Sequence, residues 1–251
     1  MLSIRDYSLV TVLFLSEFSR GAFLLTFLPI YTTESLGWEI TSAGVAVSVH
    51  YLTETLVKSF VGWRLDHSGK PIFMGGLFLG LVSLILIWLF PHPGLLIMAS
   101  ALLGLGYAPI WIGVITQVAP SGIKNRASRI GLVFIAWLTG IGSGLTVINF
   151  FIPYGYHLAF FVIIMGLFAA LTLSGIFYPR VRPSAFRPVS SHTSMISAIK
   201  SLAVNKTTTQ LLLPGMFLQT LSASLLLPVL PVFAKYQLGL SHKQYGLLII
   251  A

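Results

Sequence analysis

The stretch GWRLDHSGKP, residues 62–71, gathers Arg64, Asp66, His67 and Lys70 within ten positions. Only 8% of the whole chain is charged, and largely apolar runs of about twenty residues lie on both sides of this stretch. A helix of that length crosses a hydrocarbon core about 30 Å thick. The stretch is therefore predicted to be a water-exposed turn between two membrane-spanning helices.

The composition indicates a membrane protein rather than a soluble domain, because 56% of the residues are hydrophobic and the mean hydropathy is +0.91. The apolar runs show no alternating period, so helices rather than barrel strands are predicted, and the fold class is an all-α membrane protein. The chain has no cysteine, which excludes disulfides and thiolate ligands. The net charge of +9 comes from short basic segments between the apolar runs, so nucleic acid is not an expected partner.

Seven apolar spans can be drawn, and polar segments connect them. They predict an N-terminal six-helix bundle over residues 1–178, a cytoplasmic linker over 179–209 and the start of a second bundle over 210–251. Because the sequence stops within what would be an eighth span, we expect a truncated form of a longer protein. The seven spans run over residues 7–31, 42–63, 72–90, 95–118, 129–151, 157–178 and 210–234.

The lysines and arginines predict the orientation of these spans. If the N-terminus is inside, eleven of the 15 basic residues fall in inside segments and only Lys235 and Lys243 fall outside. Cytoplasmic loops carry such an excess of positive charge. We therefore expect a multi-pass membrane protein with a cytoplasmic N-terminus, which also places residues 62–71 in the cytoplasm.

An internal repeat links the first and seventh spans. FLPIYTTESLGWEITSAG, residues 27–44, aligns without a gap with VLPVFAKYQLGLSHKQYG, residues 229–246, at a spacing of 202 positions. A proline, two leucines and two glycines coincide across the two copies. Six spans separate the copies, so both run in the same direction, as in two parallel six-helix halves.

Parallel six-helix halves, a basic linker and the glycine- and charge-rich turn together resemble the major facilitator superfamily. The signature of that family in this loop is G-x-x-x-D-R-x-G-R-[KR], which Gly62, Asp66, Gly69 and Lys70 match and from which His67 and Pro71 depart. We expect Gly62 to allow close helix approach, Gly69 to make a tight turn, and Asp66 to meet a helix N-terminus or a basic partner. The resemblance implies that this loop helps to hold the cytoplasmic side shut.

Charged residues inside the spans form the candidate substrate and proton site. Glu17 and Arg20 share one face of the first span, and His50, Glu54 and Lys58 share one face of the second. Counted at 1.5 Å per residue, the two groups are level, which predicts Arg20 beside His50 and Glu17 near Glu54. Each charge costs about 2.5–3.5 kcal/mol in the bilayer interior, so we expect a function for them. One carboxylate is predicted to bind a proton, with His50 as a relay, whereas Lys58 is expected to extend to the cytoplasmic edge.

Two tryptophans add an aromatic element to this site. Trp111 in span four and Trp137 in span five are expected to line the cavity and to stack on a sugar or an acyl chain. Together with Glu17, Arg20 and Glu54, they resemble the flippase-like branch of the superfamily that moves glycolipid anchors for lipoteichoic acid synthesis. This resemblance implies a bacterial cell membrane as the location. It also implies proton-coupled movement of an amphiphile, a glycolipid anchor or a hydrophobic drug, by alternating access.

Other functions remain open at this point. An uptake symporter for a small hydrophilic solute would tolerate the same half-site, and a truncated chain that transports nothing is a further alternative. An enzyme is not expected, because Ser143 in GIGSG lacks the glycine at position 141 of a serine hydrolase motif, and neither a phosphate loop nor zinc-ligand spacing occurs. We expect no metal and no cofactor, a proton gradient as energy source, a monomer, and the lipid bilayer with a small-molecule or lipid substrate as partners.

Overall fold

The computed structural model describes residues 2–179 and 229–250, together with residues 204, 206, 208–212, 214–215 and 217–218. The described residues form helices joined by short connections and contain no β-strand, as expected for an all-α protein. A π-helical turn covers Thr208–Leu212. The other helices are α1 (Ile4–Ser35), α2 (Ile40–His67), α3 (Gly69–Leu89), α4 (Pro93–Val118), α5 (Arg126–Phe151), α6 (Tyr156–Phe177), α7 (Leu230–Tyr236) and α8 (His242–Ile250).

Among the described residues, five helices are long and apolar enough to cross a membrane, namely α1, α3, α4, α5 and α6. Helix α2 has 28 residues and would also be long enough, but it carries His50, Glu54, Lys58, Arg64 and Asp66. Each of the first six predicted spans coincides with one of the helices α1 to α6. The prediction of an all-α membrane protein is therefore confirmed.

Short connections make successive helices antiparallel, so α1, α3 and α5 begin at the same end of the bundle. We name that end the inner end and the opposite end the outer end. Helix α1 packs against α5 and α6, while α2 and α3 both pack against α4. Helices α7 and α8 contact α1 and α5, respectively.

The turn between α2 and α3 is much shorter than predicted. Helix α2 continues to His67 and α3 begins at Gly69, so only Ser68 leaves the helical conformation, with φ −136° and ψ 60°. The tight turn expected at Gly69 is therefore made by Ser68. Adjacent Lys70 donates from Nζ to the backbone oxygen of Gly175 at 2.6 Å, which satisfies a carbonyl near the C-terminal end of α6.

Gly62 does not mark the close helix crossing that its motif position suggested. A Cβ at Gly62 would meet only the Cδ1 atom of Ile112, at an ordinary distance of 3.9 Å. Close crossings occur at other glycines, for example on α5, where a Cβ at Gly144 would stand 2.2 Å from the backbone oxygen of Phe18. Gly21 on α1 faces α5 in the same way, since its Cβ would stand 2.7 Å from the backbone oxygen of Ile141. Small residues thus bring α1 and α5 into backbone contact.

The internal repeat is confirmed in the backbone geometry at the ends of α1 and α7. Gly37 and Gly239, which are paired in the repeat, both have φ +67°, the left-handed conformation that glycine adopts most readily. Helices α2 and α8 then begin at paired positions, Ile40 and His242. The same backbone hydrogen bond follows the helix end in each copy. The Trp38 N–H donates to the Thr32 oxygen at 2.8 Å, and the Leu240 N–H donates to the Ala234 oxygen at 3.0 Å.

The linker predicted for residues 179–209 falls almost entirely outside the described residues, and so does the middle of the predicted span 210–234. Both boundaries therefore stay predictions. The described end of that span is α7, which occupies its last residues.

Candidate functional site

A buried ion network joins α1 to α2, and Arg20 is at its centre. The Nη2 atom of Arg20 lies 2.5 Å from Glu17 Oε2, and its Nη1 atom lies 3.0 Å from Glu54 Oε2. All three side chains are buried. The structure thus brings together the two carboxylates and the arginine that the sequence singled out.

Lys58 belongs to the same network, which corrects the expectation that it extends away to the cytoplasmic edge. Its Nζ atom lies 2.9 Å from Glu54 Oε1, and its side chain is 33% exposed. The network therefore contains two carboxylates and two cations rather than two carboxylates and one arginine. With all four groups ionised, its net charge is zero.

His50 is also present, but the pairing across the two helices differs from the prediction. Arg20 bonds to Glu54 instead of standing beside His50, whose Nε2 atom lies 3.6 Å from Glu54 Oε2. Helical side chains point toward the N-terminus of their own helix. In the antiparallel pair α1 and α2, Arg20 therefore extends toward the inner end and Glu54 toward the outer end, so that the two meet.

Two tyrosines enclose the Arg20 guanidinium, and sequence reasoning missed both of them. The Cζ atom of Arg20 lies 5.5 Å from the ring centroid of Tyr107 and 5.9 Å from that of Tyr51. The Tyr107 hydroxyl donates to the backbone oxygen of Ser16 at 2.8 Å, which connects α4 to α1. Cation–π contacts of this kind hold an arginine in place without adding negative charge.

Glycines set the helix spacing at this network. A Cβ at Gly104 on α4 would lie 2.2 Å from the backbone oxygen of His50 and 3.2 Å from the backbone nitrogen of Glu54. A Cβ at Gly140 on α5 would lie 2.9 Å from Glu17 Cβ. The charged residues therefore stand where α2 meets α4 and where α1 meets α5 most closely.

The two predicted tryptophans form a second cluster with Phe134, which sequence reasoning also missed. The ring centroids of Trp111 and Trp137 are 5.5 Å apart, and Phe134 lies 5.0 Å from Trp111 and 6.0 Å from Trp137. Phe134 is exposed, and both tryptophans are partly exposed. The cluster thus offers aromatic surface rather than being sealed in the core.

This aromatic cluster lies about one helical turn from the ion network, toward the inner end. Trp111 follows Tyr107, which contacts Arg20, by one turn of α4. Trp137 precedes Gly140, which contacts Glu17, by about one turn of α5. Charged and aromatic groups are therefore neighbours along two separate helices.

The predicted gate residues Gly62, Asp66, Gly69 and Lys70 lie at the inner end, at the α2–α3 junction, and not in the ion network. His67, which replaces the arginine of the family signature, places Nδ1 2.9 Å from the backbone oxygen of Trp63. The gating role of these residues remains a prediction.

A second ion pair at the inner end connects α1 to α5. The Nη1 atom of Arg129 lies 3.1 Å from Asp6 Oδ2 and also donates to the backbone oxygen of Val118 at 3.0 Å. Through this arginine, the ends of α1, α4 and α5 are held together.

Two alternative site types, a metal centre and a serine nucleophile, can be compared with the described residues. Within residues 2–179 and the described later segments, no three His, Asp or Glu side chains group as metal ligands. The Ser143 hydroxyl donates to the backbone oxygen of Gly140 at 3.0 Å, so it is bonded within its own helix.

Comparison with known proteins agrees with the fold. The family model described as the Major Facilitator Superfamily matches residues 9–251. Proteins named "Proton-coupled antiporter flippase LtaA" are similar over 96% of this chain: that of Staphylococcus saprophyticus is 30% identical over 247 residues and that of Staphylococcus haemolyticus 28% over 246. A Staphylococcus aureus protein of the same name is 30% identical over 249 residues. The chain spans 58–59% of the length of these curated relatives. Since the family model covers nearly the whole chain, this protein belongs to the Major Facilitator Superfamily.

Proposed function

We propose that the chain is part of a secondary transporter that moves an amphiphilic substrate across the cell membrane by alternating access, coupled to protons. Its N-terminus lies in the cytoplasm, so the inner end of the bundle faces the cytoplasm. The proton gradient supplies the energy, and neither a metal nor an organic cofactor takes part. The transporter acts as a monomer in the bilayer.

The buried network of Glu17, Arg20, Glu54 and Lys58 carries this proposal. Four ionisable side chains within one helix pair oppose insertion into a bilayer, at about 2.5–3.5 kcal/mol each on insertion scales. Such groups are retained where they face a water-filled cavity and handle ions or substrates. A purely structural helix pair would be more stable with apolar residues at these positions.

Within the network, we assign the transported proton to Glu17. Glu54 contacts two cations, Arg20 and Lys58, whereas Glu17 contacts only the arginine that both carboxylates share. A carboxylate with fewer positive partners loses less when it is neutralised. We assign to His50, next to Glu54, the role of passing the proton along the helix pair.

The neighbouring aromatic cluster supports an amphiphilic substrate. Trp111, Trp137 and Phe134 present ring faces and edges that stack on sugar rings or contact acyl chains. The ion network one turn away can hydrogen-bond to the hydroxyl groups of a polar head. The relatives named proton-coupled antiporter flippases support the same class of substrate, and a glycolipid anchor is the member that we favour.

The test is transport in proteoliposomes, with a fluorescent diacylglycerol that bears a disaccharide head group as the amphiphile. We expect an imposed proton gradient to drive its movement between leaflets, and Glu17→Gln and Arg20→Ala to abolish the gradient-dependent part. Glu39→Gln is the matched control, because Glu39 is exposed at the N-terminus of α2.

Three results would contradict the proposal in different ways. Unchanged movement in both variants would remove the site assignment. Gradient-driven uptake of the free disaccharide, without movement of the lipid, would favour a symporter for a small hydrophilic solute. A parent chain with neither activity would favour the alternative that a chain of this length does not transport.

A further inference from the structure

A separate ion cluster, formed by Glu34, Lys235 and His242, lies at the outer end and connects four helices. The Oε2 atom of Glu34, at the end of α1, lies 2.5 Å from Lys235 Nζ on α7 and 3.5 Å from His242 Nε2 on α8. The Tyr156 hydroxyl, at the start of α6, donates to the same carboxylate oxygen at 3.2 Å. One carboxylate thus joins the first six helices to both described helices of the second repeat.

The surrounding contacts show that α8 is closely seated on α5. A Cβ at Gly246 would lie 3.0 Å from Asn149 Cβ and 3.2 Å from the backbone oxygen of Thr146. The Nζ atom of Lys243 lies 5.4 Å from the ring centroid of Tyr154. In this conformation α7 and α8 are therefore packed against the outer end of the first bundle, and Glu34 lies within that contact.

Among the acidic residues, only Glu34 pairs with the cations of the described helices α7 and α8. The sequence contains six acidic residues, and all of them lie in the part that the structure describes. Glu34 is the one among them that forms an ion pair with α7 or α8. If its charge is removed, Lys235 and His242 retain no carboxylate at this contact.

We propose that Glu34, Lys235 and His242 form an outer gate, and that a proton on His242 strengthens its closed state. With neutral His242, Glu34 faces one cation, and with protonated His242 it faces two. Acid at the outer surface therefore favours closure. The titratable and charged groups around His242 are Glu34 on α1, Tyr154 just before α6, Tyr156 at the start of α6, Lys235 and Tyr236 on α7, and Lys243 on α8.

This inference rests on the proposed transport function and orientation. It adds to them the direction of proton movement, from the outside inward. A carrier that takes up protons from outside must close its outer end after the proton has bound. A gate that acid closes from outside would couple these two events. The internal repeat does not supply this feature, since the counterpart of Glu34 in the second copy is Tyr236.

The test is a distance measurement that needs no substrate. The chain has no cysteine, so Ser35→Cys and Gln237→Cys, both at exposed positions near the cluster, accept a pair of spin labels without background. We expect a short-distance population that grows when the pH is lowered in proteoliposomes. Glu34→Gln should lower the ratio of closed to open populations about tenfold, and Glu39→Gln should leave it unchanged.

Two further variants make the test decisive. His242→Gln should keep the closed population at neutral pH but lose its growth in acid. Lys235→Gln, at a position that is 35% exposed, should open the gate even if Glu34→Gln fails to fold. Unchanged distances in Lys235→Gln, or an acid response that survives His242→Gln, would overturn the gate. Either outcome would leave the transport assay unaffected, so the two proposals can fail separately.

Discussion

Gly104 is the position where we expect one added methyl group to damage the ion network most. A Cβ there would lie 2.2 Å from the backbone oxygen of His50 and 3.2 Å from the backbone nitrogen of Glu54. These are backbone atoms within a helix, so they cannot rotate away as a side chain would. To restore an ordinary contact, α2 and α4 must move apart by about 1 Å.

That displacement acts directly on the charge pairing. Because Arg20 is on α1, which packs against α5 and α6, a shift of α2 stretches the 3.0 Å contact between Arg20 and Glu54 toward 4 Å. This is beyond hydrogen-bonding distance. Overpacking of this kind costs about 1–3 kcal/mol, and weakening a buried ion pair adds to the loss. We therefore expect Gly104→Ala to lower the free energy of unfolding by about 3 kcal/mol.

Equilibrium unfolding in mixed micelles measures this loss, and Gly75→Ala on α3 is the matched control. Nothing lies within 4 Å of a Cβ at Gly75, so alanine there should be neutral or stabilising by up to about 1 kcal/mol. In a Glu54→Gln background, Gly104→Ala should cost less, because the pairing is already weakened. Equal stability of Gly104→Ala and Gly75→Ala would refute the idea that the α2–α4 crossing positions Glu54.

Further substitutions test three separate features. Gly37→Ala should lower the free energy of unfolding by about 1–2 kcal/mol because its φ is +67°. Gly239→Ala, at the paired position of the second repeat, should lower it by a similar amount in the same unfolding assay. Glu54→Gln should lower it by about 3 kcal/mol, and most of this loss should return in the double variant with Lys58→Met, since charge balance is restored. Phe134→Ala should weaken binding of the fluorescent glycolipid about fivefold in a titration of tryptophan emission, whereas Phe161→Ala, exposed on α6, should not.

The sequence was sufficient to predict the helices and the main charged residues, because both contrast strongly with their surroundings. Glu17, Arg20 and Glu54 are charges within apolar runs, and their helical spacing places them on facing surfaces. The glycine that follows the first helix of each repeat copy also stands out in the sequence, because Gly37 coincides with its counterpart. Both have the left-handed backbone conformation that glycine adopts most readily.

The remaining parts of the site lack such contrast in the sequence. Tyr107 and Phe134 are aromatic residues among many apolar ones, so helical spacing alone does not tell which of them face Arg20 or Trp111. Gly104 is one of 23 glycines, and its role depends on which helix crosses α4 at that level. The sequence does not decide the position of Lys58, because its long side chain can reach either water or Glu54, and only the tertiary packing selects between them.

The equal number of cations and carboxylates in the network has a consequence for coupling. While all four groups are ionised, the network is neutral, and α1 and α2 can hold it away from water. A proton on Glu17 leaves one uncompensated positive charge in the same volume, and an unpaired buried charge is strongly unfavourable. If Glu17 carries the transported proton, as proposed, its protonation favours a conformation in which water, or a polar head group with free acceptors, reaches Arg20. In this way the protonation state of one carboxylate can bias which conformation the helices adopt.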